Sequence, residues 1–467
     1  MQQSDKLQRR KRSEERQLDR LTAMKQKGRK AWYFAILIGV IILVDWLDNF
    51  TTNVNAKMSN DFLTEFFVVG KGYDMAKANA VYESFNLITY VIGLLTPFYK
   101  ALADKWGRKP LFVISTAGMA LGLLLISVSK TFVGFMIGNV ITYFFLSHDV
   151  QILYILEESP SDKRARIYSV LKGIGALGAF FVPVMRATAM HNDTTLWRAV
   201  YLVPGLCGLA ISVVVFLLVK ETTVFIDDRT AYLLRPFEER IAEEQAAKEQ
   251  KKTHPQKAGI FNAIKYIFKN KQLRTLVIAK AVFDTAIIAM TKDTLMMGAF
   301  NLSTEQITQA LFWYPVIYCA AVIISGFVAD KIGRKTTVVI AGVTYVAAFM
   351  LFVLALNLGW SPIVIGIADG LFLGSYWIGR DYMEIISTEM VPTEIRASVV
   401  GAIALLMNIS MAVGLILITV GSLFIPMWIV CLAVSVPCVG FAVVLLALKV
   451  KETKGVDYES ITATNAE

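Results

Sequence analysis

Apolar residues in this chain come in long blocks rather than in short periodic stretches, with brief polar breaks between them. The blocks run over residues 31–52, 78–99, 110–129, 132–156, 167–190, 196–219, 274–296, 306–329, 336–357, 361–386, 397–422 and 424–449. Each is close to the roughly 20 residues that a helix needs to cross the hydrocarbon of a bilayer. The pattern predicts an all-α membrane protein with twelve transmembrane helices in two six-helix, pseudo-symmetric bundles. One polar segment interrupts the series, from Lys220 to Lys271. Its FEERIAEEQAAKEQKK stretch is a charged, strong helix former, and after His254-Pro255 comes a short amphipathic FNAIKYIFKN. The expected layout is a basic cytoplasmic N-tail (1–30), a first bundle (31–219), a cytoplasmic linker with amphipathic helices (220–273), a second bundle (274–449) and a cytoplasmic C-tail (450–467).

Composition agrees. Of 467 residues 55% are apolar and only 18% charged, and mean hydropathy is +0.54; soluble proteins carry roughly 25% charged residues. This excludes a disordered chain, a disulfide scaffold and a soluble nucleic-acid binder. The net charge of +10 comes largely from segments on one side of the predicted helices, beginning with LQRRKRSEERQLDR and KQKGRK near the N-terminus. That is the positive-inside pattern, with scope for lipid-headgroup contact, and it predicts a multi-pass protein of the plasma (inner) membrane with both termini cytoplasmic. The basic run lacks an apolar core and does not read as a signal peptide. Four cysteines lie in apolar runs without a CxxC pair, three histidines are far apart, and GxSxG, Walker and HExxH motifs are missing. Enzymatic chemistry, a metal and a cofactor have no sequence support.

The two halves repeat. ALADKWGRK (Ala101 to Lys109) follows the second block and FVADKIGRK (Phe327 to Lys335) the eighth. An E-x-x-P-x-x-x-R-A sequence follows the fourth block (Glu157, Pro160, Arg164) and, 232 positions later, the tenth (Glu389, Pro392, Arg396). VKET closes the sixth block at Val219 and the twelfth at Val450. Three paired signatures in one order indicate a duplication. With these motifs the chain resembles the major facilitator superfamily over essentially its whole length; the first loop departs in carrying Lys100 where the second keeps Gly326. Asp45-Trp46-Leu47-Asp48 looks like the corresponding sequence of metabolite:proton symporters, and the VKET tail like that of sugar porters.

The motif residues suit a moving machine. Asp104 and Asp330 can take charge-assisted bonds from Arg108 and Arg334, or cap the next helix. Gly107 and Gly333 allow the sharp turn of a short loop. Glu157 with Arg164, and Glu389 with Arg396, flank prolines that end their helices. The resemblance implies that these groups form an intracellular gating network that latches an outward-open state; a static topology anchor is the alternative. Asp149 and Asp381, each eight residues before its motif glutamate, are about two helical turns away and are assigned to the same network.

Charges inside a membrane span are costly and default to function. Asp45 and Asp48 are three apart on one helix face, and two carboxylates so placed resist double ionisation, which makes them the candidate proton-coupling pair. On the tenth block Asp369, Tyr376, Arg380 and Glu384 share a stripe, with Trp377 beside it. Lys172, Lys280 and Asp284 are expected to face the same cavity. The substrate-binding candidates are thus Arg380, Tyr376, Trp377, Lys172, Lys280 and Asp284, with a pocket either rich in cations or neutralised by its own acids. Arg186 reads as a snorkelling interfacial residue, and Glu83 is left open.

These readings predict a secondary active transporter that moves a small polar organic solute, a carboxylate or zwitterion favoured, by alternating access. Proton-coupled symport is expected, with sodium not excluded as the coupling ion. A proton-coupled drug or metabolite exporter and a sugar porter-like facilitator are the alternatives. A monomer in the lipid bilayer is expected, without a nucleic-acid partner.

Overall fold

Polar residues extend the first helix beyond its apolar block. Tyr33–Lys57 is one α-helix, prolonged by Ser59–Leu63 and a π-helical turn, Thr64–Val69. The block ends near residue 52, yet the next turns stay helical because their polar groups are answered inside the bundle: Thr51 bonds the Leu47 carbonyl, and Asn55 accepts from Tyr201 at 3.0 Å. A computed structural model describes residues 2–26, 32–93, 99, 102–145, 148–159, 164–243, 260–391 and 393–453.

Within it the twelve spans are all helical. The first is Tyr33–Lys57, the second Met75–Gly93, the third Arg108–Val128, and the fourth is built from Phe132–Phe144 and His148–Glu158. The fifth joins Arg164–Ala176 to Phe181–Thr188 through a 3-10 turn, Leu177–Phe180, and the sixth is Ala199–Leu218. In the second half the seventh span is broken into Lys271–Asp284, Ile287–Met290 and Asp293–Ala299. The others run Thr304–Ile332, Arg334–Asn357, Pro362–Glu389, Thr393–Gly421 and Met427–Lys449. The repeated loops and both terminal segments share one end of the spans, the basal end; the opposite end is distal.

Each half buries its own apolar core. In the first half a distal cluster around Phe62, Phe135 and Trp197 is separate from a basal one around Tyr33, Phe112 and Tyr154. The second half packs Phe283, Tyr345, Phe349, Phe372 and Tyr376 among its seventh, ninth and tenth spans. Aliphatic and aromatic residues on the perimeter stay exposed, among them Leu217, Phe327 and Leu448, as faces turned to lipid require.

The basal end carries additional helices. Gln2–Gln26 lies on Thr223–Leu234, with Leu21 buried against Phe225, Ile226 and Leu233. Lys25 pairs with Asp227 at 2.7 Å, and Arg240 with Glu14 at 2.5 Å. Burial works against the Glu14 charge, but Arg10 and Arg240 outweigh it and hold its carboxyl below the ordinary value. The linker's Ile260–Lys269 buries Ala263 and Ile267 against the second half; residues 244–259 lie outside those described.

Two glycines are fixed by backbone geometry. Gly107 and Gly333 have φ of +103° and +102°, and a Cβ there would strike the Glu221 or Glu452 carboxyl. Gly333→Ala is expected to lower stability by about 1–3 kcal/mol in a thermal melt of the detergent-solubilised protein, and Gly326→Ala, with open space around it, to leave the melt within a degree or so of the parent. The depressed Glu14 titration sets a pH dependence for the terminal helix: docking contributes stability above the ordinary carboxyl value of 4.5 and is lost only as pH falls below it. Protease sensitivity of the Gln2–Gln26 segment across pH 3.5–7 checks this, and Glu14→Gln should be sensitive throughout.

Candidate functional site

The repeated motifs close on one another at the basal end, identically in both halves. Arg108 donates from Nε and Nη2 to Glu157 Oε1 at 3.1 and 2.9 Å, and Glu157 also accepts from the Thr222 hydroxyl. Glu221 takes the backbone N–H groups of Arg108 at 2.7 Å and of Lys109. In the second half Arg334 Nε is 2.8 Å from Glu389, which accepts from Thr453, while Glu452 takes the N–H groups of Arg334 and Lys335 at 2.9 and 3.0 Å. A carboxylate at a helix N-terminus answers backbone donors that have no partner within the helix.

This corrects the expected pairing. Arg108 reaches Glu157, Arg334 reaches Glu389 rather than Asp330, and the caps of the following helices come from the VKET glutamates. Asp330 is exposed. The side chains of Asp104, Asp149, Arg164 and Arg396 lie outside those described. Asp381, expected beside Glu389, has Arg380, Lys280, Lys172 and Glu384 as its surrounding charges.

Midway along the spans the substrate candidates converge. The Tyr376 hydroxyl donates to Asp284 at 3.0 Å, and the ring stacks on Phe283 at 5.4 Å. Arg380 lies over the Trp377 ring at 5.1 Å, with Nε 3.7 Å from Asp284. Lys280 pairs with Glu384 at 3.1 Å and reaches the Arg380 carbonyl. Lys172, on the fifth span, attracts Asp381 across the two halves. Three cations (Lys172, Lys280, Arg380) therefore meet three acids (Asp284, Asp381, Glu384). On the first span Asp45 and Asp48 are both buried. Asp45 accepts from Gln151 of the fourth span, and Trp46 Nε1 donates to the Ile174 carbonyl at 2.9 Å.

The distal end holds the residues that sequence reasoning missed. Lys57 pairs with Asp293 and lies 3.5 Å from Asp369, with its ammonium 4.2 Å from the Tyr314 ring centre. Lys292 pairs with Glu83 and donates to Asn79 at 3.1 Å. Arg186 binds Asp61 and the Lys57 carbonyl within the first half and donates to Thr308 of the second at 3.1 Å. Lys57, Asp61, Arg186, Lys292, Asp293 and Asp369 are each 3% exposed or less. Arg186 is thus no snorkelling residue, because it is enclosed between the halves, and Asp369 leaves the substrate stripe to face Lys57. Lys57 and Lys292 stood at the margins of apolar blocks, where a charge looks like loop. Their signal was the continued helical run of polar residues between Thr51 and Lys57.

The Major Facilitator Superfamily profile matches residues 84–292 and again 275–463, so that each match falls largely on one half. A search of curated protein sequences returns no match. Among solved structures the fold resembles a D-xylose-proton symporter, with a TM-score of 0.70 at 14% identity over 91% of this chain and 99% of that one. It also resembles the inward open conformation of the xylose transporter XylE from E. coli, with a TM-score of 0.63 at 17% identity over 92% and 99%. Twelve spans in two halves locked by the same three motifs, and matched twice by one profile, make this chain a member of the major facilitator superfamily.

Proposed function

We propose that this transporter is a proton-coupled symporter of a small polar organic solute, and that the conformation described is closed at its distal end. The observation that carries the reading is the distribution of ion pairs. At the distal end Lys57 and Lys292 bind acids of the opposite half, whereas the Arg108 and Arg334 locks each stay inside one half. Halves that are rigid within and joined by separable charge pairs are what rocking around a central site requires. The basic residues of the tail, linker and repeated loops support a cytoplasmic basal end, with both termini, and an outer distal end.

The mid-span site supports a neutral, polyhydroxylated solute. Its three cations and three acids cancel, and the paired groups offer alternating donors and acceptors with the Trp377 ring beside them. The carriage of D-xylose with a proton by the structurally similar symporter supports the same class. A second reading keeps the expected carboxylate or zwitterion, on one observation: Arg380 Nε is 3.7 Å from Asp284, longer than a hydrogen bond, leaving a guanidinium fork able to take a carboxylate. The proton site is proposed among the buried carboxylates of the path, Asp45, Asp48, Asp293 and Asp369.

Thermal-shift screening of the purified protein against sugars, organic acids, amino acids and cationic drugs should find stabilisation by a polyol, since a ligand of the folded state raises the melting temperature. Arg380→Lys then changes solute affinity less than threefold; a tenfold loss, about 1.4 kcal/mol, would select the carboxylate reading. Uptake into proteoliposomes should rise with an inward proton gradient and collapse with a protonophore. Uptake that ignores both but follows sodium overturns proton coupling. Arg334→Ala, which opens the lock to Glu389, is expected to slow net transport at normal protein level by loosening the half; an unaltered velocity removes this stiffening role.

A further inference from the structure

We propose that Asp293 and Asp369 together carry the coupled proton, and that Lys57 is the positioning residue that dislodges it when the distal end closes. The inference rests on the symport reading above and names its proton site.

Lys57 belongs to the first half, Asp293 and Asp369 to the second. One ammonium engages both carboxylates, beneath the Tyr314 ring, in a site where none of the three charged groups is more than 1% exposed. The neighbouring charges are committed elsewhere. Arg186 is bound to Asp61, and Lys292 to Glu83 and Asn79. Asp293 takes one further bond, the Thr294 N–H at 2.8 Å. The distal seal thus sets four acids (Asp61, Glu83, Asp293, Asp369) against three bases (Lys57, Arg186, Lys292), and the surplus carboxylate sits at Lys57.

Parting the halves at this end carries Lys57 away and leaves Asp293 and Asp369 facing each other on the second half. Two carboxylates in one dry site resist joint ionisation, so one takes a proton from the outer water. When the halves close, the ammonium returns between them and replaces that proton electrostatically. One proton is bound on opening and one released on closing; Lys57 keeps its own three. Release runs to the basal side, where Tyr376, seven residues and about two turns along the same helix, bonds Asp284. Asp45 and Asp48 share one helix, so rocking does not part them from each other.

The test measures solute-driven proton movement, accumulation and counterflow exchange in proteoliposomes. Asp369→Asn and Asp293→Asn are expected to abolish solute-driven proton movement and lower accumulation at least tenfold, with a smaller loss of counterflow. Lys57→Gln should abolish solute-driven proton movement while counterflow persists, because the acid pair then keeps its proton on closing. Should Asp369→Asn fail to insert, Asp369→Glu is read instead by its pH midpoint, and an unshifted midpoint overturns the proposal. Intact coupling in both Asn variants, with coupling lost in Asp45→Asn or Asp48→Asn, overturns it while leaving symport standing. A parent protein that moves no protons with solute overturns the symport reading itself.

Discussion

A charge held inside hydrocarbon must be answered by an opposite charge, and in this molecule the side from which the answer comes separates what is rigid from what can move. Arg108 is answered by Glu157 and Arg334 by Glu389, each within its own half. Those bonds tie helix ends together and give the halves internal stiffness at the basal end. Lys57 and Lys292 are answered by the opposite half. Their bonds hold only while the halves touch, and breaking them exposes both partners to water that can solvate them. A conformational change is feasible along the second kind of bond and not along the first.

The basal locks show why duplication shapes more than topology. The loop arginine, the glutamate after the fourth or tenth span and the VKET pair were each legible as repeated sequence. The glutamates are displaced by 232 (Glu157 to Glu389) and 231 (Glu221 to Glu452) positions and the loop arginines by 226 (Arg108 to Arg334), yet each set keeps the same mutual geometry. The VKET glutamates repeat in the same order as the glycine turns, which made Glu221 and Glu452 available as their partners. The expectation instead offered Asp104 and Asp330, the acids nearest in sequence, as partners of the loop arginines or as caps. In the second half proximity along the chain misled, because Asp330 is exposed while the end of the twelfth span, three spans on, lies under the N–H groups of Arg334 and Lys335.

Helix number and the two-half arrangement were readable because hydrocarbon imposes a length that hydropathy reports directly. The distal seal was not. Lys57, Lys292 and Asp293 lie at block margins, where a window average merges them with loop. Glu83 and Arg186 were seen as charges within spans, but their partners could not be named, since the pairing depends on how the halves meet. Thr51 and Asn55, one turn apart on the helix that ends in Lys57, were the available sign that the first helix continued into protein rather than into water. A polar run that keeps helical spacing and contains neither glycine nor proline reads better as buried helix than as loop.

Depth separates the two tasks assigned to this transporter. At mid-span three cations and three acids cancel, which suits a neutral solute and leaves the site's charge unchanged whether it is full or empty. Toward the distal end the acids exceed the bases by one, and the surplus lies on the half opposite Lys57. Placing the unbalanced charge at the seal rather than at the solute lets a change of state alter proton affinity with no direct contact between proton and solute. In the proposed scheme coupling acts through closure itself: a solute that favours the closed distal end favours the ammonium's return, and the ammonium's return favours loss of the proton.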